Sequence, residues 1–242
     1  MPRLYTAHTP VMKITKYIPN TITCLNLFSG CISCVMAFQG EYLYAALFIY
    51  LASIFDFLDG MTASLLKAYS DMGKELDSLS DIISFGMAPG IILFSWLQTI
   101  APESNSFLPY IAFLIPIFSA LRLAKFNIDT RQESSFIGLP TPANAILIAS
   151  LISLNQSSYL SNLLSNVWII IALILVLSFL LISKLPMFSL KFKNLTWSDN
   201  KTRYIFLILS FAMLPVLRSG AIPLSIVLFI SMSLFLHLVK NK

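Results

Sequence analysis

Charge is scarce in this chain. Asp, Glu, Lys and Arg together make up 11% of its 242 residues, where an average soluble domain carries about 25%. Beside 57% hydrophobic residues, that scarcity excludes an ordinary water-soluble globule. Histidine is nearly missing as well. His8 and His237 sit near opposite ends of the chain, and neither is expected to act in catalysis. Cysteine is confined to Cys24, Cys31 and Cys34 in one apolar segment. Cys31-x-x-Cys34 has no second pair, so the three read as small membrane-helix residues rather than a metal or redox site. Internal repeats and low-complexity stretches are lacking. No cleavable signal peptide is expected, because Met1–Lys16 is polar and the apolar stretch after it has no convincing cleavage site. The net charge of +5 comes from basic residues standing singly between apolar runs. They suit membrane anchoring, and no nucleic-acid partner is expected.

What fills the chain instead is apolar runs. Its length accommodates about eight spans of ~20 residues with short loops, so the expected fold is all-α, a polytopic integral membrane helix bundle. The spans fall at Asn20–Phe38, Tyr42–Leu66, Glu75–Gln98, Leu108–Leu123, Ala143–Leu154, Asn166–Ile182, Tyr204–Leu217 and Ile222–Val239. Between them lie a Lys67–Lys74 loop, a long polar loop at Arg122–Pro142 and a basic loop at Lys184–Arg203. Met1–Lys16 is expected along the membrane surface, with a weak interfacial-helix pattern at Met12–Tyr17. Eight spans put both termini on one side, and that side then holds fifteen of the sixteen Lys and Arg residues, with Arg218 opposite. The positive-inside rule makes it the cytosolic face of the cell membrane. Residues 17–155 are expected to form the functional core, with 156–242 supplying the remaining helices of the same domain.

Four acids break the apolar pattern. Asp56 and Asp59 end the second span, and Asp77 and Asp81 begin the third. An ionised group at the bilayer centre costs at least ~2.5–3.5 kcal/mol, so four within 26 residues need a compensating partner. Spacings of three and four place each pair on one helix face. Asp59 lies eight residues before Lys67 and Asp81 seven after Lys74, roughly 10–12 Å along a helix. Both pairs therefore hang at one depth below the same membrane face. No Lys or Arg lies within either pair. Oxygen-only ligands summing to four negative charges suit two divalent cations, Mg²⁺ or Mn²⁺. Gly60, Ala63 and Gly73 are small, and are expected to let the two acid-bearing helices approach closely. Asn20, Thr23 and Asn26 are too polar for lipid exposure, and are expected in interhelical hydrogen bonds or facing the site.

The order D-x-x-D-G-x-x-A from Asp56, then Gly73, Asp77 and Asp81 at fixed gaps, resembles the signature of the CDP-alcohol phosphatidyltransferases. One letter departs: Ser64 stands where that signature has Arg. The resemblance implies a CDP-linked lipid bound through its diphosphate, an alcohol attacking the lipid-side phosphorus, and CMP leaving. It makes Asp56, Asp59 and Asp77 metal ligands, and Asp81 the acid that closes a second metal site and acts as general base. Gly60 and Gly73 would leave room for nucleotide and backbone. Lys67, three residues past Ser64, is the candidate to replace the missing arginine charge.

Arg122-Leu-Ala-Lys125-Phe-Asn127 and Phe136-Ile-Gly138-Leu-Pro140-Thr-Pro142 resemble the serine-accepting branch of that family. That implies CDP-diacylglycerol and L-serine as substrates. Arg122 and Lys125 then become candidates to hold the serine carboxylate or a phosphate, against plain anchoring at the membrane surface. A glycerol phosphate or inositol acceptor, or a non-enzymatic ion carrier, are the competing expectations. Whether the chain forms a homodimer stays open at this level.

Overall fold

The computed structural model describes residues 17–128, 136–154, 158–188 and 196–240. The Met1–Lys16 segment, and the parts of the two long loops at 129–135 and 189–195, lie outside them. Nine helices occur among the described residues: α1 Tyr17–Phe38, α2 Tyr42–Leu65, α3 Asp71–Ile100, α4 Leu108–Ile128, α5 Thr141–Ser153, the short α6 Ser158–Leu164, α7 Val167–Ile182, α8 Trp197–Leu217 and α9 Ala221–Lys240. Five of them, α1 to α4 and α9, are long and apolar enough to cross a bilayer, and α5 and α7 are shorter apolar helices. Each expected span thus has its helix, and the chain is a polytopic α-helical membrane protein.

Three boundaries differ from expectation by four residues or more. Helix α3 begins at Asp71 rather than Glu75, because the Ser70 hydroxyl caps it by accepting the Gly73 N–H at 3.0 Å. Helix α4 continues to Ile128, since no Pro or Gly interrupts the chain between Pro116 and Gly138. Arg122, Lys125 and Asn127 therefore sit on its last two turns, not in a loop. Helix α8 starts at Trp197 and is broken at Asn200 (φ −119°, ψ 16°). The long loop also carries a short ribbon, with β1 (Phe136–Ile137) pairing antiparallel with β2 (Pro186–Met187). Gly138 follows β1 at φ +78°, and a Cβ there would fall 2.6 Å from the Leu181 carbonyl oxygen. Only glycine fits.

Helix α3 is the axis of the bundle. In its most apolar window 72% of residues are buried, against 17–33% in the other four long spans. Phe85, Ile92, Leu93 and Leu97 are fully enclosed, with α1, α4 and α5 packed around them. The α1–α3 seam is tight. A Cβ on Gly30 would lie 2.7 Å from the Ser84 Cα, and Ser84 and Ser80 donate hydrogen bonds to the Asn26 and Thr23 carbonyls at 3.0 and 3.1 Å. On the opposite side Gly86 admits Ser119, and Gly90 admits Pro116. Between these contacts α3 widens into a π turn over Ile82–Met87, directly after Asp81; such turns are frequent at functional sites. The close approach expected at Gly60 is found at Gly30 instead. A Cβ on Gly60 would meet nothing within 4 Å, because Gly60 borders open space.

Candidate functional site

Helix α2 brings Asp56 and Asp59 inward on one face, and the first turns of α3 bring Asp77 opposite them. One carboxylate oxygen from each of Asp56, Asp59 and Asp77 lies within 4.8 Å of the others. Asp59 is 6% exposed. Its Oδ2 and the Oδ1 of Asp77 are buried and accept no hydrogen bond among the described residues. Hard divalent cations take oxygen ligands at about 2.0–2.6 Å, so the spacing and the spare lone pairs fit one held between the three acids. The residues present thus suit the metal chemistry expected from the sequence.

Asp81 stands apart from this trio, one turn deeper along α3 and 8% exposed. Asn26 Nδ2 donates to its Oδ1 at 3.4 Å across the α1–α3 seam. The charges of Asp56, Asp77 and Asp59 all act on it. It is also the acid that interacts with Arg122. Asp81 is therefore within electrostatic reach of both the acid trio and Arg122 near the end of α4.

Beside the trio is a cleft of about 220 Å³. Asn20 and Thr23 of α1 form one wall, Asp59 and Gly60 of α2 another, and Gly73, Lys74 and Asp77 of α3 a third. Gly73 is crowded, with Asn20 Oδ1 and Ser70 Oγ each 3.0 Å from where a Cβ would be. Ser64 and Lys67 are exposed and do not line the cleft. Lys67 does not continue the helical face of Ser64, because α2 ends at Leu65 and Lys67 adopts a left-handed φ of 48° in the turn beyond. The lysine that does border the cleft is Lys74.

Arg122 is 7% exposed, and its Nε has no hydrogen-bond partner among the described residues. Lys125, one turn on, is exposed. Sequence reasoning passed over Thr141 and Asn144 in the first turn of α5. Both are fully enclosed, and the Thr141 hydroxyl and both amide atoms of Asn144 lack partners among the described residues. Their polarity at the start of an apolar helix was the available signal.

The class is an α-helical membrane protein with a carboxylate cluster beside a cleft between its helices. The chain belongs to the CDP-alcohol phosphatidyltransferase family, whose profile matches residues 16–180. It is 32% identical over 180 residues to a CDP-diacylglycerol–serine O-phosphatidyltransferase of Mycobacterium leprae, covering 71% of this chain and 58% of that one. A Bacillus subtilis protein of the same name is 39% identical over 132 residues, covering 52% and 70%. The archaetidylserine synthase of Methanothermobacter thermautotrophicus is 37% identical over 142 residues, covering 57% and 59%. The chain thus spans about three fifths of the length of most of these relatives.

Proposed function

We propose that the chain transfers the phosphatidyl group of CDP-diacylglycerol to the hydroxyl of L-serine, forming phosphatidylserine and releasing CMP. The observation that carries this reading is the trio Asp56, Asp59 and Asp77 converging beside a cleft walled by Gly60 and Gly73. The acceptor is supported by the relatives, whose printed names specify serine. Two divalent cations, Mg²⁺ or Mn²⁺, would be held by Asp56, Asp59 and Asp77 with Asp81 on the second. When bound, they supply charge neutralisation at the phosphates and polarisation of the reacting phosphoryl group.

The chain's own groups do the rest. Gly60 and Gly73 leave the cleft open for the nucleotide. Arg122 holds the serine carboxylate through its guanidinium, a group whose planar fork matches a carboxylate. Asp81 takes the proton from the serine hydroxyl as that oxygen bonds to the lipid-side phosphorus. The bond to the CMP oxygen breaks, and CMP departs with the electron pair. Basic residues on the terminus-bearing side support a cytosolic site, where serine and CMP can exchange with solvent. The test is CMP release from CDP-diacylglycerol by the purified protein against serine, glycerol 3-phosphate and inositol. Serine alone should support turnover. Turnover with another acceptor and none with serine would overturn the assignment.

A further inference from the structure

Lys74 joins two parts of the molecule that the reaction must bring together. It borders the cleft between Asp59, Gly60, Gly73 and Asp77, and among the described residues it is the one basic residue on that lining. Its ammonium donates to the Asn127 carbonyl at 3.3 Å, while Asn127 Nδ2 donates to Ser78 Oγ at 2.9 Å. Asn127 is in the last described turn of α4, and the carbonyls at a helix C-terminus attract cations. This resting contact is replaceable. A lysine carries its charge on a flexible four-carbon stem, and a phosphate oxygen binds an ammonium more strongly than a neutral carbonyl does.

We propose that Lys74 is the cation that receives a phosphate of the nucleotide substrate in the cleft, giving up the Asn127 carbonyl as it does so. This rests on the transferase reading above and adds a residue to it. The acid trio makes the cleft strongly negative, so a diphosphate needs positive charge on the wall as well as between the carboxylates. Lys74 is already on that wall, whereas Lys67 leaves it through the turn after α2. The exchange also removes one tie between α3 and the end of α4, which carries Arg122, leaving the Asn127–Ser78 bond. The nucleotide cleft and the acceptor side are thereby mechanically linked.

The experiment is calorimetric binding of CDP, with Mg²⁺ present, to the full chain in detergent. Lys74→Ala and Lys74→Gln should each weaken CDP binding about 10- to 100-fold, the loss of one charge-assisted hydrogen bond. Lys74→Arg should restore most of it. Ser78→Ala breaks the Asn127 side-chain tie without touching the ammonium, and should leave CDP affinity unchanged. In turnover, Lys74→Gln should raise the KM for CDP-diacylglycerol and not that for serine. CDP affinity unchanged in both Lys74→Ala and Lys74→Gln, with turnover intact, overturns the lysine assignment alone. An equal loss in Ser78→Ala overturns it too, by making Lys74 a helix clamp. Wild-type protein that neither binds CDP nor releases CMP overturns the transferase reading, and this inference with it.

Discussion

Asn26 holds Asp81 across the seam between α1 and α3, donating from Nδ2 to Oδ1 at 3.4 Å. The bond crosses 55 residues of sequence and holds the acid that lies one turn beyond Asp77 on α3. Asn26 is itself immobilised, fully buried and with its carbonyl accepting from Ser84. If Asp81 is the general base, its orientation depends on this amide. Asn26→Leu keeps the bulk and removes the donor. It should lower kcat about tenfold, the low end for a hydrogen bond to a charged group, and leave the KM for CDP-diacylglycerol near wild type. Asn26→Asp, which places another carboxylate against Asp81, should cost more. Steady-state CMP release measures both, and an unchanged kcat in Asn26→Leu would remove the positioning role.

The glycines separate fold from function. Gly30→Ala drives a methyl group into the Ser84 backbone, and overpacking of this kind costs about 1–3 kcal/mol. Its melting temperature in detergent should fall. Gly60→Ala faces open space, so stability should hold while the KM for CDP-diacylglycerol rises. Equal melting temperatures for Gly30→Ala and wild type would contradict the packing at the α1–α3 seam.

The acids were legible in the sequence because ionisable residues interrupting apolar runs are expensive and must be explained. Helix rise alone put the two acid pairs level with each other, and Asp56, Asp59 and Asp77 do meet, with Asp81 one turn beyond. A helix at each apolar run was legible from hydropathy, and five of them are long and apolar enough to cross a bilayer. The features that escaped depend on contacts between distant segments. The π turn after Asp81 exists where Gly30 and Ser119 press on α3 from opposite sides, and no local pattern in Ile82–Met87 announces it. Helix α4 runs two turns past its apolar stretch because nothing stops it, which carried Arg122 and Lys125 from an expected loop onto a helix. At Lys67 the three-residue spacing from Ser64 does not give a shared helix face, since the chain has already turned after Leu65.

Arg122 and Lys125 should now separate. Arg122 is buried and within electrostatic reach of Asp81, whereas Lys125 is exposed. Arg122→Ala should raise the KM for serine at least tenfold, more than that for CDP-diacylglycerol, consistent with a lost charged hydrogen bond. Lys125→Ala should change either KM by less than about twofold, as exposed charges contribute little. Equal rises in both KM values for Arg122→Ala would point to a structural or phosphate-binding role.

Orientation is tested by labelling single cysteines in intact cells, in a background lacking Cys24, Cys31 and Cys34. Ser104→Cys lies in the turn before α4, and Met72→Cys on the exposed face at the start of α3. An impermeant thiol reagent added from outside should modify the first and spare the second. The reverse pattern would put the acid trio on the wrong face for cytosolic serine.

The central claim is that Asp56, Asp59 and Asp77 form a divalent-cation site on which phosphatidyl transfer depends. Its most direct test is serine-dependent CMP release by the purified protein, with and without EDTA, alongside Asp59→Asn. Exchanging Asp for Asn keeps the size and removes the charge that holds a hard cation. Wild-type turnover should vanish in EDTA and return on adding Mg²⁺ or Mn²⁺, while folded Asp59→Asn should show none at any cation concentration. CMP release that survives EDTA, or an Asp59→Asn protein that turns over at the wild-type rate, would contradict it.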